Sequence, residues 1–245
     1  ALRLFAQPLV DQASWLIPLA VIGALVAVFR DRLRYPLSDK HGALILWGLW
    51  LITEVVFFSV ANLFHAYYLV MLAPPLAALV GIGVMALWQT YRDRAWIGTG
   101  LTVLALGLTA AFQVIVLRQY PDQRGILIPL IVVGTLMGVG ALVLTRRINR
   151  IPPAALGLGL AALLIAPLAW SAITALDLYP NFNLPNAGPP TADEQGANQR
   201  AVGPPPGGTT GPEARAQMLI DYLAPRTDDT FYLVATLNAR DASPL

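Results

Sequence analysis

The chain of 245 residues contains no cysteine, and only 12% of its residues are charged. The absence of cysteine excludes disulfide bonds and thiolate metal sites. The two histidines, His41 and His65, do not have metal-ligand spacing, and we predict no metal or cofactor in this stretch. No phosphate-binding GxxxxGK[ST] loop and no GxSxG elbow occurs. A net charge of +2 does not create the field expected of a nucleic-acid-binding protein.

Apolar residues, by contrast, make up 56% of the chain and are gathered in long runs. Because a bilayer core of ~30 Å needs ~20 residues of helix, these runs predict membrane-spanning segments. Backbone amides must be bonded within each segment in lipid, so the segments are helices. The sequence predicts an all-α polytopic membrane bundle over residues 1–176, with about six spans. These are Ala13–Phe29, which is short for a span, and Gly42–Val60, Ala66–Trp88, Ala95–Leu117, Gly125–Thr145 and Pro153–Leu176.

Positive charges are distributed unevenly between the connections, which predicts the orientation of the bundle. One set of loops contains nine cations and the opposite set three, and the richer set is expected in the cytoplasm. The loop containing His65 and the C-terminal tail then lie outside the cell. The nine are Arg30, Arg32, Arg34, Lys40, Arg92, Arg94, Arg146, Arg147 and Arg150, and the three are Arg3, Arg118 and Arg124.

Small residues in the fifth and sixth segments indicate a helix–helix contact. Gly134 and Gly138 form a GxxxG pattern, with Gly140 nearby, and Gly157 and Gly159 follow in the next segment. Such residues let two backbones approach closely within a membrane. Glycine is also simply common in membrane helices, so this pattern alone leaves both interpretations open.

The composition changes after the last apolar run. Residues 177–211 are rich in proline and glycine and predict a flexible linker. Residues 212–245 then read as a helix followed by the strand Thr230–Leu237, which predicts the start of a small extracytoplasmic α/β domain. Since the chain begins with Ala1 and stops just after this strand, we expect it to be an excerpt of a longer protein.

A polar cluster lies where the third apolar segment begins. His65 can donate to a phosphate oxygen, and a helix N-terminus beside it favours an anion. Tyr67 and Tyr68 follow, although tyrosines also form belts at membrane interfaces. Glu54 lies inside the second segment, where a carboxylate is costly and usually faces protein or a wet cavity. It is either a polar wall of a substrate cavity or a structural carboxyl that reaches water.

Three stretches resemble a known family. ALRLF near the start is followed by DQASWLIPLA at Asp11–Ala20, and FHAYYLVMLAPPLAALVGIG occupies Phe64–Gly83. LIDYLAPRTDDTFYLVAT occupies Leu219–Thr236. Together they resemble bacterial family 39 glycosyltransferases, the dolichyl-phosphate-mannose–protein mannosyltransferase-like enzymes of GT-C architecture. Ala66 departs from the pattern, which has proline after the histidine.

The resemblance implies a bacterial plasma-membrane enzyme that transfers a hexose, mannose, from a polyprenyl-phosphate donor. The acceptor, a protein or glycan, would lie on the outer face. The catalytic acidic residue is expected upstream of this excerpt, which would be inactive alone. His65, Tyr67 and Tyr68 are expected to line the donor phosphate site, with Glu54 as a further substrate-binding candidate. Two other classes stay open: half of a membrane transporter, for which Glu54 would suit an ion route, and a membrane anchor for the outer domain.

Overall fold

A computed structural model describes most of residues 9–189. His65, most of the linker and the whole predicted α/β domain lie outside the described residues, so the expectations for them stay predictions. For Ala66 and Ala95 only the backbone is described. The described ranges are 9–30, 35–61, 66–148, 153–176 and 187–189.

The described residues form seven α-helices and one 3₁₀ segment, and they contain no strand. The all-helical prediction is therefore confirmed for this part of the chain. The 3₁₀ segment is Ala66–Leu72. The helices are α1 Val10–Ala13, α2 Ile17–Arg30, α3 Asp39–Val60, α4 Ala73–Asp93, α5 Ala95–Leu117, α6 Pro121–Arg147 and α7 Pro153–Ala175.

Five helical segments in the described residues are long and apolar enough to cross a membrane, against about six predicted. They correspond to α3, the 3₁₀ segment with α4, α5, α6 and α7. The remaining predicted span is α2, which has 14 residues and extends only ~21 Å at 1.5 Å per residue. It is shorter than expected because the chain turns at Ser14, between α1 and α2. The length and composition of the five helices indicate a multi-pass membrane protein.

The predicted third span begins with a different helix type than expected. Residues 66–72 are 3₁₀-helical, and the α-helix proper starts at Ala73 with Pro74 and Pro75 in its first turn. Proline has no backbone N–H, so neither proline can bond back to the carbonyl four residues earlier. These two missing bonds disfavour an α-helix that continues from the preceding segment through Pro74 and Pro75. Both prolines sit where a helix tolerates them best.

Glycine contacts set the spacing of two helix pairs. A Cβ atom on Gly138 would lie 2.6 Å from the Gly159 Cα, and one on Gly134 would lie 2.7 Å from the Ala162 Cβ. The predicted contact between α6 and α7 is thus confirmed, although Gly140 and Gly157 face open space. Sequence analysis did not predict the second pair, α2 and α4, where a Cβ on Gly83 would lie 2.7 Å from the Gly23 Cα.

Two hydrophobic clusters form the core, and α1 bridges them. Val10 belongs to the larger cluster, which includes residues of α2, α4, α5, α6 and α7. Leu9, directly before α1, belongs to the other, with Phe58 of α3 and Leu69 and Leu72 of the 3₁₀ segment. The neighbouring side chains of Leu9 and Val10 therefore connect the region around α3 to the rest of the bundle.

The bundle has two chemically different ends. The aromatic end contains α1, the 3₁₀ segment, the start of α6 and the last turns of α7, with Asp11, Tyr120 and Trp170 in contact. At the basic end the termini of α2, α4 and α6 meet, with Arg30 bonded to Thr90 and Arg146 over the Tyr91 ring. The predicted distribution of charge between the two sides of the membrane, and the side that each end faces, stay predictions.

Candidate functional site

The tyrosines of the predicted site lie together on the 3₁₀ segment. The rings of Tyr67 and Tyr68 meet edge to face, with their centroids 4.6 Å apart. Tyr68 is 43% exposed, while Tyr67 is half-buried. Edge-to-face contact lets one ring hold the orientation of the other. His65 precedes this pair in the sequence and lies outside the described residues.

The 3₁₀ periodicity explains why this pair is presented at the surface. With three residues per turn, Leu69 and Leu72 share one face, and both are buried against Phe58 and Leu9. Tyr68 and Met71 share another face, and both are exposed. The segment is therefore anchored by its leucines, which leaves the Tyr68 phenol accessible at the aromatic end.

Glu54 occupies the flank of the buried face of α3. It lies three residues after Leu51 and four before Phe58, both of which are buried, and its own side chain is half-buried. Residues at these separations are neighbours on a helix surface. Six residues separate Glu54 from Val60 at the end of α3, a rise of ~9 Å. The structure thus brings the helix of Glu54 against the 3₁₀ segment, through Phe58 and its leucine partners.

A buried carboxylate that sequence analysis had not singled out organises the aromatic end. Asp11 is 1% exposed, and its Oδ2 accepts hydrogen bonds from the Tyr120 hydroxyl at 2.7 Å and the Trp170 indole at 3.0 Å. The Trp170 ring packs edge-on against Tyr120 and Trp15, with centroids 5.0 and 4.9 Å away. Burial raises the pKa of the Asp11 carboxyl, and the bonds from Tyr120 and Trp170 oppose that rise.

Amide side chains tie the same region together. Gln12 exchanges two hydrogen bonds with the backbone of Ala187, at 3.0 and 2.7 Å, which holds residues after α7 against α1. Gln113 donates to the Trp15 carbonyl at 3.2 Å and to the Leu163 carbonyl at 2.8 Å, and so links α5, α7 and the start of α2. These bonds fix α1, which in turn contacts the 3₁₀ segment with Tyr67 and Tyr68.

Some buried polar atoms in this region have no hydrogen-bond partner. Among the described residues they include Asp11 Oδ1, Ser14 Oγ and Gln113 Oε1. Buried polar atoms are normally satisfied, by protein or by ordered water. The sequence signal that could have identified this cluster is the acidic residue in DQASW, four positions before Trp15. In a linear pattern Asp11 precedes the apolar segment and has no neighbour that marks it as buried.

The 3₁₀ segment presents an exposed tyrosine at the aromatic end. No group of three or more His, Asp or Glu side chains in the described part of the chain is placed to hold a metal ion. Tyr68 is 43% exposed, and α1 packs against the 3₁₀ segment that contains it. Such a surface suits a polar group at the edge of an apolar environment.

Two curated proteins of Bacillus subtilis (strain 168) are similar to nearly the whole chain. "Putative mannosyltransferase YkcB" is 36% identical over 252 residues, covering 99% of this chain and 33% of that protein. "Putative mannosyltransferase YycA" is 35% identical over 249 residues, covering 99% of this chain and 34% of that protein. The chain thus spans about a third of the length of these relatives. No family model and no solved structure matches it.

The two names agree with the resemblance to mannosyltransferase-like proteins. They do not test family 39 membership or GT-C architecture, which stay predictions. The roles of His65, Tyr67, Tyr68 and Glu54 likewise stay predictions.

Proposed function

We propose that this chain is a membrane portion of a glycosyltransferase that moves a hexose, mannose, from a polyprenyl-phosphate donor to an acceptor at the outer membrane face. The similarity to two proteins named as mannosyltransferases, over 99% of the chain, carries the proposal. The five helices able to cross a membrane support it, because a polyprenyl donor is itself embedded in lipid.

In the proposed reaction the bond between the sugar C1 and the donor phosphate oxygen breaks. A new bond forms between C1 and the acceptor hydroxyl oxygen, whose proton passes to a base. Polyprenyl phosphate leaves, so negative charge develops on its oxygens, and hydrogen-bond donors placed there stabilise the transition state. We assign this role to His65, Tyr67 and Tyr68. The base is expected in a part of the protein outside this chain.

The exposed Tyr68 phenol, held on an anchored segment, is the structural feature that suits this role. Glu54 would form a polar wall beside it, since α3 packs against the same segment. A carboxylate is a poor partner for phosphate, so Glu54 is assigned to the sugar hydroxyls instead. It would accept their hydrogen bonds.

The test is transfer from polyprenyl-phosphate-mannose by the full-length protein in membranes. We expect His65→Ala to reduce kcat/KM by about 10²-fold, the usual loss for removing one donor from a developing oxyanion. Tyr68→Phe, which removes only the hydroxyl, should have a smaller effect in the same direction. Tyr35→Phe is the matched control, since Tyr35 lies between α2 and α3 and is fully accessible.

Unchanged transfer and unchanged donor affinity in His65→Ala would reject the assigned site. Absence of transfer from this donor by the unsubstituted full-length protein would reject the proposed function itself.

A further inference from the structure

A cavity lies at the basic end, far along the helices from Tyr67 and Tyr68. It has a volume of about 490 Å³, within the ~300–1,000 Å³ typical of ligand pockets. Three helices enclose it: the end of α2, the first turns of α3 and the last half of α4. The residues from Gly81 to Gln89 line its length, which corresponds to ~12 Å along α4.

The cavity is polar at one end and apolar along the rest. Its mouth contains Arg30, Asp39, Lys40 and Gln89. Among the lining residues that the structure describes, Asp39 is the one carboxylate, set against the cations Arg30 and Lys40. Deeper along the helices the wall is apolar, formed by Ala27, Ala43, Leu44, Gly81, Ile82, Met85 and Ala86. Met85 and Gly81 are exposed, so the apolar wall continues to the outer surface of the bundle.

His41 supplies a buried donor to this mouth. Its side chain forms part of the cavity wall yet is only 5% exposed, and its Nε2 has no hydrogen-bond partner. The Nδ1 atom lies 2.8 Å from the Ser38 hydroxyl. When that hydroxyl donates to Nδ1, the ring proton resides on Nε2, which then acts as a donor. A buried donor of this kind beside a cavity can be satisfied by a ligand atom or by ordered water.

The start of α3 adds a second attraction for an anion. Ser38 is the N-cap residue of this 22-residue helix, but its hydroxyl bonds to the His41 ring and does not cap the backbone amides. Amides at a helix N-terminus point outward and carry a partial positive charge. Asp39, Lys40 and His41 belong to this first turn and line the cavity. Helix terminus and imidazole therefore converge on the same mouth.

We propose that this cavity binds an anionic phospholipid, with its phosphate at His41 Nε2 and the start of α3 and an acyl chain along α4. The polar mouth and the apolar wall match the two parts of such a lipid, and the wall opens toward the surface that contacts the bilayer. Arg30 and Lys40 at the mouth repel the cation of a zwitterionic head group and so favour an anionic one, although Asp93, which holds the Arg30 guanidinium together with Thr90, offsets part of its charge. This site is separate from the proposed donor site and does not depend on the proposed function.

The experiment measures lipid binding to the purified full-length protein by native mass spectrometry. Dioleoyl phosphatidylglycerol is titrated against dioleoyl phosphatidylcholine. We expect one phosphatidylglycerol to bind more tightly than phosphatidylcholine. In His41→Phe, which keeps a buried ring but removes the donor, its affinity should fall roughly tenfold, the loss expected for one charge-assisted hydrogen bond.

A second variant tests the cavity without touching the polar mouth. Gly81 lines the cavity, and a Cβ there meets open space, so Gly81→Leu would fill the apolar channel without displacing protein. Its matched control is Gly140→Leu on α6, where an added Cβ also meets nothing. Gly81→Leu should abolish the preference for phosphatidylglycerol, and Gly140→Leu should retain it. Circular dichroism of each variant confirms that the helices are intact.

Equal binding of the two lipids by the unsubstituted protein would overturn the proposal. So would unchanged phosphatidylglycerol affinity in both His41→Phe and Gly81→Leu. Glycerol 3-phosphate is the competitor that separates a lipid site from a site for free phosphate. If it displaces phosphatidylglycerol at equal concentration, the acyl chain contributes nothing and the lipid assignment is wrong.

Discussion

The two ends of the bundle differ in how far their charged side chains are buried and in which groups bind them. At the aromatic end Asp11 is buried, and its Oδ2 accepts hydrogen bonds from two neutral donors, Tyr120 and Trp170. At the basic end Arg30 and Arg146 stay partly accessible and use an ion pair, a hydroxyl and a ring face. Removing a partner from a buried charge leaves an uncompensated polar group, whereas water replaces a lost partner at the surface. The aromatic end should therefore tolerate substitution much less than the basic end.

The largest effect is expected at Asp11. Asp11→Ala removes the buried acceptor that the Tyr120 hydroxyl and the Trp170 indole share, and each lost hydrogen bond costs about 1–3 kcal/mol. We expect the free energy of unfolding to fall by about 2–4 kcal/mol, measured by circular dichroism during denaturation in mixed micelles. The matched control at the basic end is Asp39→Ala, an exposed acidic residue in the first turn of α3.

Asp39→Ala should change the free energy of unfolding by only about 0.5 kcal/mol. If the two alanine variants were equally stable, the contrast between the ends would not exist. Asp11→Asn keeps an acceptor for both donors and should lie between Asp11→Ala and the unsubstituted protein.

A smaller effect is expected in the pH dependence of stability. Because the pKa of Asp11 is raised above its ordinary value of 3.8, the folded state binds this proton more tightly than the unfolded state does. The contribution to stability is complete below pH 3.8 and is lost as pH rises through the folded pKa. The slope for one proton is at most about 1.4 kcal/mol per pH unit.

Asp11→Asn cannot titrate, so it should lack this loss of stability. The melting temperatures of Asp11→Asn and of the unsubstituted protein are measured from pH 4 upward, and the difference between them reports on Asp11. If this difference did not change with pH, burial would not raise the pKa of Asp11.

The smallest effect is expected at Arg146. Its guanidinium lies 4.5 Å from the centroid of the Tyr91 ring, and Arg146→Gln removes this cation–π contact. We expect a loss of about 0.5–1 kcal/mol, as for contacts of this kind near a surface. The neighbouring Arg147→Gln is the control, since Arg147 is exposed and should give no measurable change. If Arg146→Gln lowered the free energy of unfolding as much as Asp11→Ala does, the basic end would tolerate substitution no better than the aromatic end.

Much of the bundle could be predicted from local patterns. Long apolar runs located five spanning segments, and the GxxxG pattern located the contact between α6 and α7. The first predicted segment, Ala13–Phe29, begins earlier than the helix α2 that the structure shows, because the apolar run does not reveal the turn at Ser14. The helix type at Tyr67 and Tyr68 was also missed, although Pro74 and Pro75 provided the signal. Prolines favour the first turn of an α-helix, and the α-helix does begin at Ala73, directly before them.

The Asp11 cluster and the cavity at His41 could not be predicted, because each is formed by residues that are distant in the chain. Asp11 meets Tyr120 and Trp170, which lie 109 and 159 positions away, and no linear pattern connects them. The cavity at His41 likewise needs α2, α3 and α4 to converge. By itself the sequence determined which segments are helical and where positive charge is concentrated, because hydropathy and charge act locally. Only the tertiary structure decided which polar atoms are buried and with which partners, because burial depends on what packs from elsewhere in the chain.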